Sequence, residues 1–242
     1  MKYLIAGPCS VESEEQIYTI AKAVAAAGAT HLRGGAYKPR TSPYTFQGLG
    51  EQGLRFLAAA GKAAGLPTVS EIVDPRDLPK FSDIDILQVG ARNMQNFALL
   101  KELGKSGKTV LLKRGFASTV DELLFAAEHI LAAGGKKVVL CERGVRSFSG
   151  DTRFLLDISA VPVVKSKSNL EIIVDPSHAA GAWQYVKPMA LAAVAAGADG
   201  LELEVHNNPE AALSDGEQSL SLENFKDLAG LISRSEAFAY KY

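Results

Sequence analysis

A short, uninterrupted apolar run recurs along this chain eight times, and that recurrence limits the fold more than any other feature. The runs start near Tyr3 (YLIAG), Thr30 (THLRG), Pro67 (PTVSEIV), Asp85 (DILQVG), Thr109 (TVLLKRG), Lys137 (KVVLCERG), Glu171 (EIIVD) and Gly200 (GLELEVH). Between residues 3 and 200 they advance by about 28 residues on average, room for one strand, one helix and two loops. Unbroken Val/Ile/Leu runs suit strands buried on both faces, as in a parallel sheet. Helical patterns fill the intervals. Ser13 and Gln16 form a capping-box pattern ahead of Ile17, Ile20, Ala21, Val24 and Ala25 on one face, and Gly28 ends that helix. Thr119 and Glu122 repeat the box before Leu123, Leu124, Ala127, Ile130 and Leu131. Residues 54–64, 96–103, 188–196 and 222–232 read as further helices. Eight βα units within 242 residues predict an α/β fold, a single (β/α)8 TIM barrel occupying one domain over 1–242. An open doubly wound sheet is the alternative, but it would show fewer strands and a Gly-rich first turn. The first turn here, Gly7-Pro8-Cys9-Ser10, is no dinucleotide fingerprint.

Composition narrows the function classes. With 26 Lys+Arg against 27 Asp+Glu the net charge is −1, so bulk charge offers nothing to nucleic acid. The most apolar stretch begins at Pro188 and stops at Asp199, short of the ~20 residues of a membrane span. No secretory signal follows Lys2, and two cysteines build no disulfide framework, so a cytoplasmic location is expected.

In a barrel of this kind chemistry gathers at the C-terminal strand ends. Cys9 follows the first run, His178 the seventh (DPSH), Glu204 ends the eighth, and Asp215 lies in the loop beyond it. Closure places those three strands side by side, so a thiol, an imidazole and two carboxylates would converge on one divalent transition metal ion: Mn2+, Fe2+, Co2+ or Zn2+. Each residue taken singly also has a structural explanation. Cys141 is expected to be a wall residue in another sector.

Cations form a second set: Arg33, Arg92, Lys113, Arg114 and Arg143 at strand ends, and Lys38-Pro39-Arg40-Thr41-Ser42 in the loop after the second run. In a neutral chain, two such clusters point to two anionic groups held apart. Glu71, Glu142 and Asp175 end their own runs as counter-ions or proton carriers, Asp175 with the option of orienting His178. His31 and His129 carry no expected role, and His206 is as readily a loop residue as a support for the site.

AGPCS at 6–10, RGGAYKPRTSPYTFQG at 33–48, GARN at 90–93, LLKRG at 111–115, CERGVR at 141–146, DPSH at 175–178, LEVH at 203–206 and SDGEQSL at 214–220 together resemble the 3-deoxy-D-arabino-heptulosonate 7-phosphate (DAHP) synthases of the type I-beta subgroup. The resemblance implies a metal-dependent transferase. It would condense phosphoenolpyruvate with erythrose 4-phosphate at the entry to the shikimate pathway, on the way to chorismate and the aromatic amino acids. It places Cys9, His178, Glu204 and Asp215 on the metal ligands and Arg92, Lys113 and Arg143 on the phosphoenolpyruvate cations, with Arg33 and Lys38 beside them. Arg40, Thr41 and Ser42 match the segment that holds the aldose phosphate. For the mechanism, Lys38 and a metal-bound water are the candidates for proton transfer, with Glu71 or Glu142 as the group that activates the attacking water.

The competing reading is 3-deoxy-D-manno-octulosonate 8-phosphate synthase, with arabinose 5-phosphate as acceptor. Its KANRS-like segment differs from the Lys38–Ser42 loop here. A silent barrel that senses a phosphorylated metabolite is the alternative from another class. The EVH motif is followed by Asn207 and Asn208 before Pro209, where Pro commonly comes at once, which affects the loop rather than the ligand Glu204. The chain is further expected to lack an appended regulatory domain, to escape direct inhibition by Phe and Tyr, and to assemble as a homo-oligomer, a tetramer.

Overall fold

Each of the eight apolar runs is a strand in the computed structural model, which describes every residue except 39–41, 43, 236 and 238. They are β1 (Tyr3–Gly7), β2 (His31–Arg33), β3 (Thr68–Glu71), β4 (Ile86–Val89), β5 (Thr109–Lys113), β6 (Val138–Glu142), β7 (Glu171–Val174) and β8 (Gly200–Glu204). Every strand pairs in parallel with the next, and β1 pairs with β8 to close the barrel. That seam runs from Tyr3 opposite Gly200 to Gly7 opposite Glu204.

The outer layer is α1 (Glu14–Ala26), α2 (Glu51–Ala64), α3 (Phe97–Lys105), α4 (Val120–Ala132), α5 (Ala160–Lys167), α6 (Pro176–Ala180), α7 (Trp183–Ala195) and α8 (Leu222–Ser235). It departs from the expected pattern in four places. After β3 there is no α-helix but a 3-10 helix, Pro75–Phe81; Pro75 suits its first position, while Pro79 inside it lacks the N–H that an α-helix would donate to the Pro75 carbonyl. The short α5 and α6 escaped the periodicity, being one to two turns long. Helix α7 begins five residues before Pro188 and carries that proline inside its N-terminal half. At α1 Ser13 accepts from the Gln16 amide, but the Gln16 side chain accepts from Glu12 rather than from Ser13, so the reciprocal box is incomplete. At α4 the Thr119–Glu122 box is complete.

Side chains alternate across each strand, which gives the barrel two cores. Outward positions such as Leu4, Ala6, Leu32, Leu87, Val110, Leu112, Leu140, Leu201 and Leu203 pack against the helices. Inward positions Tyr3, Ile5, Val69, Ile86, Leu111, Val139, Cys141 and Ile173 fill the interior. Along the same inward parity, the next positions toward the C-terminal mouth are Arg33, Glu71, Gln88, Lys113, Asp175, Glu202 and Glu204. The interior is therefore apolar at its base and ionic at its mouth. Glu142 and Arg114 fall on the outward parity.

Gly7, at the end of β1, has φ +152°, and a Cβ there would lie 2.1 Å from the Arg33 carbonyl oxygen. Only a glycine lets β1 and β2 approach this closely where the site begins. Gly7→Ala is expected to destabilise the fold by about 2 kcal/mol or more, read as a lower denaturant midpoint at constant slope. An unchanged midpoint would contradict the close approach.

Candidate active site and metal centre

The loops after β1, β7 and β8 meet at the seam. Asp175 caps α6 by accepting from the His178 amide at 3.0 Å, and it also accepts from His178 Nδ1 at 2.6 Å. This double tie fixes the ring so that Nε2 faces Glu204, 3.3 Å from Oε1. The Cys9 sulfur, a Glu204 oxygen and an Asp215 oxygen lie within 4.8 Å of one another. Asp215 stands in the left-handed region at φ 50°, which turns its carboxylate toward Cys9. A sulfur, an imidazole nitrogen and two carboxylates on three adjacent strand ends fit a divalent transition metal ion. A second group, Cys141, Asp175 and Glu202, is as tight, but the Lys113 ammonium occupies it at 2.5 and 3.0 Å from the carboxylates.

Cations hold the ligand set. Lys38 Nζ donates to the Cys9 sulfur at 2.9 Å and the Cys9 carbonyl at 3.0 Å. Arg33 donates to Glu204 at 3.0 Å, and Arg153 to Asp215 at 3.0 Å. Burial, reinforced by the Glu204 carboxylate, pushes the Cys9 thiol up to about 12. The Asp215 carboxyl lies well below the ordinary range: burial opposes the shift, and His178, the Cys9 hydrogen bond and Arg153 outweigh it. Lys38 is raised, because Cys9, Glu71 and Glu204 more than offset the burial that would lower it.

Beside this cluster opens a cavity of about 330 Å³ lined by Lys38, Ser42, Thr45, Glu71, Arg92, Phe116, Arg143, Arg153, Phe154, His178 and Asp215. Phe116 and Phe154 stack at 5.1 Å, and the Arg143 guanidinium lies 4.9 Å and 4.3 Å from their centroids. Arg92 sits over the same Phe116 ring at 5.4 Å. Arg143 is 4% exposed, its NH1 has no hydrogen-bond partner, and no carboxylate among the described residues pairs with it. Burial lowers its pKa, and the neighbouring Arg153 adds to the shift. A buried guanidinium left unpaired is an anion socket: a ligand carboxylate or phosphate would repay its desolvation.

The structure thus gathers Cys9, His178, Glu204, Asp215, Lys38, Ser42, Glu71, Arg92 and Arg143 at one mouth, with Arg33 and Asp175 directly behind the ligand set. Arg40 and Thr41 lie outside the described residues. Lys113 is not at the cavity wall; it is 3% exposed between Asp175 and Glu202. Glu142 is not brought there either. It sits on the outward face, where Arg114 Nη1 donates to it at 2.8 Å and the Gly144 amide also binds it. Cys141 is a buried wall residue, and His206 fastens the loop after β8 to α1 through Gln16 and Glu12. Sequence reading passed over Arg153, Gln218, Glu202 and the Phe116–Phe154 pair. Glu202 alone left a signal, two residues from Glu204 and hence on the same face of one strand.

Comparison with known proteins agrees with this geometry. A model of the DAHP synthetase I family matches residues 1–237. The chain belongs to that family. It is 53% identical over 226 residues to the phospho-2-dehydro-3-deoxyheptonate aldolase of Thermotoga maritima, covering 93% of this chain and 67% of the relative. The crystal structure of a Thermotoga maritima protein of that name, a DAHP synthase, superposes with TM-score 0.93 at 51% identity, over 96% of this chain and 68% of that one. A truncated form of the Thermotoga enzyme gives 0.90 at 47% identity, over 96% of this chain and 85% of that one. A 2-dehydro-3-deoxyphosphooctonate aldolase from Desulfotalea psychrophila is more distant, 32% identical over 93% of this chain and 86% of its own. Among the described residues no helix is long and apolar enough to cross a membrane.

With its thiol raised to about 12, Cys9 carries a proton near neutral pH, and binding a metal through sulfur must expel it. Loading the metal-free protein with Zn2+ or Mn2+ in weak buffer near neutrality should release about one proton more from the parent than from Cys9→Ala. Equal release from both proteins would show that the sulfur is not a ligand.

Proposed function

We propose that this chain condenses phosphoenolpyruvate with erythrose 4-phosphate, giving DAHP and inorganic phosphate. The observation that carries the reading is the unpaired, buried Arg143, which shares the Phe116 ring with Arg92 in a cavity whose wall includes His178 and Asp215. An anion seated on those two guanidinium groups lies next to a transition-metal ligand set, the layout required to hold a phosphorylated enol against a polarised aldehyde. Identity favours the seven-carbon over the eight-carbon product, at 53% against 32%.

Cys9, His178, Glu204 and Asp215 would hold one divalent ion, which supplies Lewis-acid polarisation of the aldehyde oxygen. Arg143 and Arg92 bind the phosphate or carboxylate of phosphoenolpyruvate, and the Phe116 and Phe154 rings flank the guanidinium of Arg143 at the cavity wall. Fixing both substrates makes C–C bond formation from C3 of the enol effectively unimolecular. Lys38 holds a proton at Nζ beside Cys9, within the cavity, and is placed to give it to the oxygen of the former aldehyde. Glu71, whose carboxylate packs against Gly90 at the cavity wall, accepts a proton from the water that adds at C2. Phosphate then leaves by C–O cleavage. Glu142, on the outer face of β6, takes no part in this step. Ser42 lines the aldose side of the cavity, and the neighbouring Arg40 and Thr41 belong to the same segment. A homotetramer is the proposed assembly, and the exposed rings of Phe97, Phe125 and Trp183 offer apolar surface to such contacts.

The test is consumption of phosphoenolpyruvate with each aldose phosphate, before and after chelation. Turnover should be at least about tenfold faster with erythrose 4-phosphate than with arabinose 5-phosphate, vanish with chelator and return with Mn2+; the reverse preference, or activity untouched by chelation, would overturn the reading. Arg143→Met should raise KM for phosphoenolpyruvate by about 10- to 100-fold, the value of a charged hydrogen bond at a buried site.

A further inference from the structure

Arg143 faces the cavity with its NH1 unbonded, and its neighbour in sequence holds the chain around it from the other side of the wall. Glu142 is fully buried on the outward face of β6. Its Oε1 reaches past Arg143 to accept from the Gly144 amide at 2.6 Å, tying together the backbone on either side of that arginine. The same oxygen accepts from the Asp157 amide at 3.4 Å, and Oε2 accepts from Arg114 Nη1 at 2.8 Å. Arg114 Nη1 also donates to Asp157 Oδ2 at 2.7 Å, while its Nε donates to the Ser118 carbonyl at 2.8 Å.

Each tie ends in a segment that bears on the Arg143 guanidinium. The bond from Arg114 to Ser118 closes the turn that carries Phe116, and the Phe116 carbonyl accepts from the Arg146 amide at 2.7 Å. Asp157 follows Phe154 by three residues, in a segment that pairs Leu155 with Val145. Gly144, at φ +92°, makes room for Phe154, since a Cβ there would lie 2.7 Å from the Phe154 Cβ. The loop after β5 and both ends of the segment between β6 and α5 therefore converge on one buried carboxylate. Both rings that flank Arg143 belong to them. A binding group is only as well placed as the shell that supports it.

We propose that Glu142, through Gly144, Arg114 and Asp157, is a positioning residue that sets Arg143 and its two aromatic walls for anion binding. Its enzymatic meaning rests on the phosphoenolpyruvate reading, while its effect on anion affinity does not. A carboxylate is needed because both oxygens accept: the amide of Glu142→Gln turns an NH2 toward the Gly144 N–H or the Arg114 guanidinium, donor against donor. Position and charge predict opposite signs. The Glu142 charge is felt at Arg143, so its removal alone would tighten an anion there, whereas a loosened shell weakens it.

Inorganic phosphate and phosphoenolpyruvate are titrated into the metal-free proteins by calorimetry, and the metal-loaded proteins are assayed at steady state. In Glu142→Gln both anions should bind about tenfold more weakly and KM for phosphoenolpyruvate should rise to match, with kcat and KM for erythrose 4-phosphate within about twofold of the parent. Asp157→Ala, at the half-buried end of the network, should weaken both anions about threefold. In an Arg143→Met background Glu142→Gln should add less than about twofold, because the two act through one guanidinium. Anion binding that is unchanged or tighter in Glu142→Gln would overturn the proposal, as would an effect of that substitution equally large with and without Arg143. If Glu142→Gln does not fold, Asp157→Ala decides: weakened anions sustain the proposal and parental affinities overturn it. Phosphate binding that weakens as described in proteins that never turn over phosphoenolpyruvate would sustain the positioning role and count against the proposed reaction, and a parent protein that binds neither anion would overturn both.

Discussion

The pairing of β1 with β8 is the contact on which the site depends. With Gly7 opposite Glu204, the residues just beyond β1 and at the end of β8 are brought level, and β7 on the other side of β8 adds Asp175 and the helix that carries His178. Four potential ligands separated by up to some two hundred positions in sequence thus share one rim. An open sheet would leave β1 and β8 as distant edges. Because side chains alternate strictly, the same register sends Glu202 and Glu204 inward and Leu201 and Leu203 out to the helices. Slipping the seam by one residue would exchange those sets and bury the leucines among charges.

Ionic residues concentrated in a barrel interior have to be compensated locally, since burial of an uncompensated charge costs several kcal/mol. Asp175 shows how. Burial alone would raise its pKa, yet His178, Lys113 and Arg33 hold it well below the ordinary carboxylate range. Glu204 is lowered in the same way by His178 and Arg33. Stability drawn from such groups is present above the ordinary carboxylate range and fades as pH falls through their depressed values. Arg143 is the exception, a cation whose compensation has to come from a ligand, and it lies where the cavity is deepest in cations.

Much of this was legible in the sequence because a parallel barrel writes itself as repeated apolar runs, and because the mouth residues sit at the ends of those runs. Cys9, His178, Glu204, Asp215, Arg92 and Arg143 were found by that position alone. What could not be read was parity. In an unbroken apolar run inward and outward residues look alike, so Glu142 was set beside Glu71 although the two face opposite sides of the barrel wall. The two buried carboxylates beside Lys113, one of them on β8, are distant from it in sequence, so their pairing with it could not be read. Arg153 and Phe154 lie in the long irregular segment after β6, where no periodicity marks them.

The account stands on Cys9 sulfur, and not Cys141, being bound to the same ion as the seam's imidazole and carboxylates. Loading the metal-free protein with Co2+ and recording the near-ultraviolet spectrum reads this directly, since a thiolate bound to cobalt gives a charge-transfer band that oxygen and nitrogen ligands do not. A band that is present in the parent and in Cys141→Ser, and lost in Cys9→Ser, is the predicted result. A spectrum without that band, or a band that survives in Cys9→Ser, would contradict it.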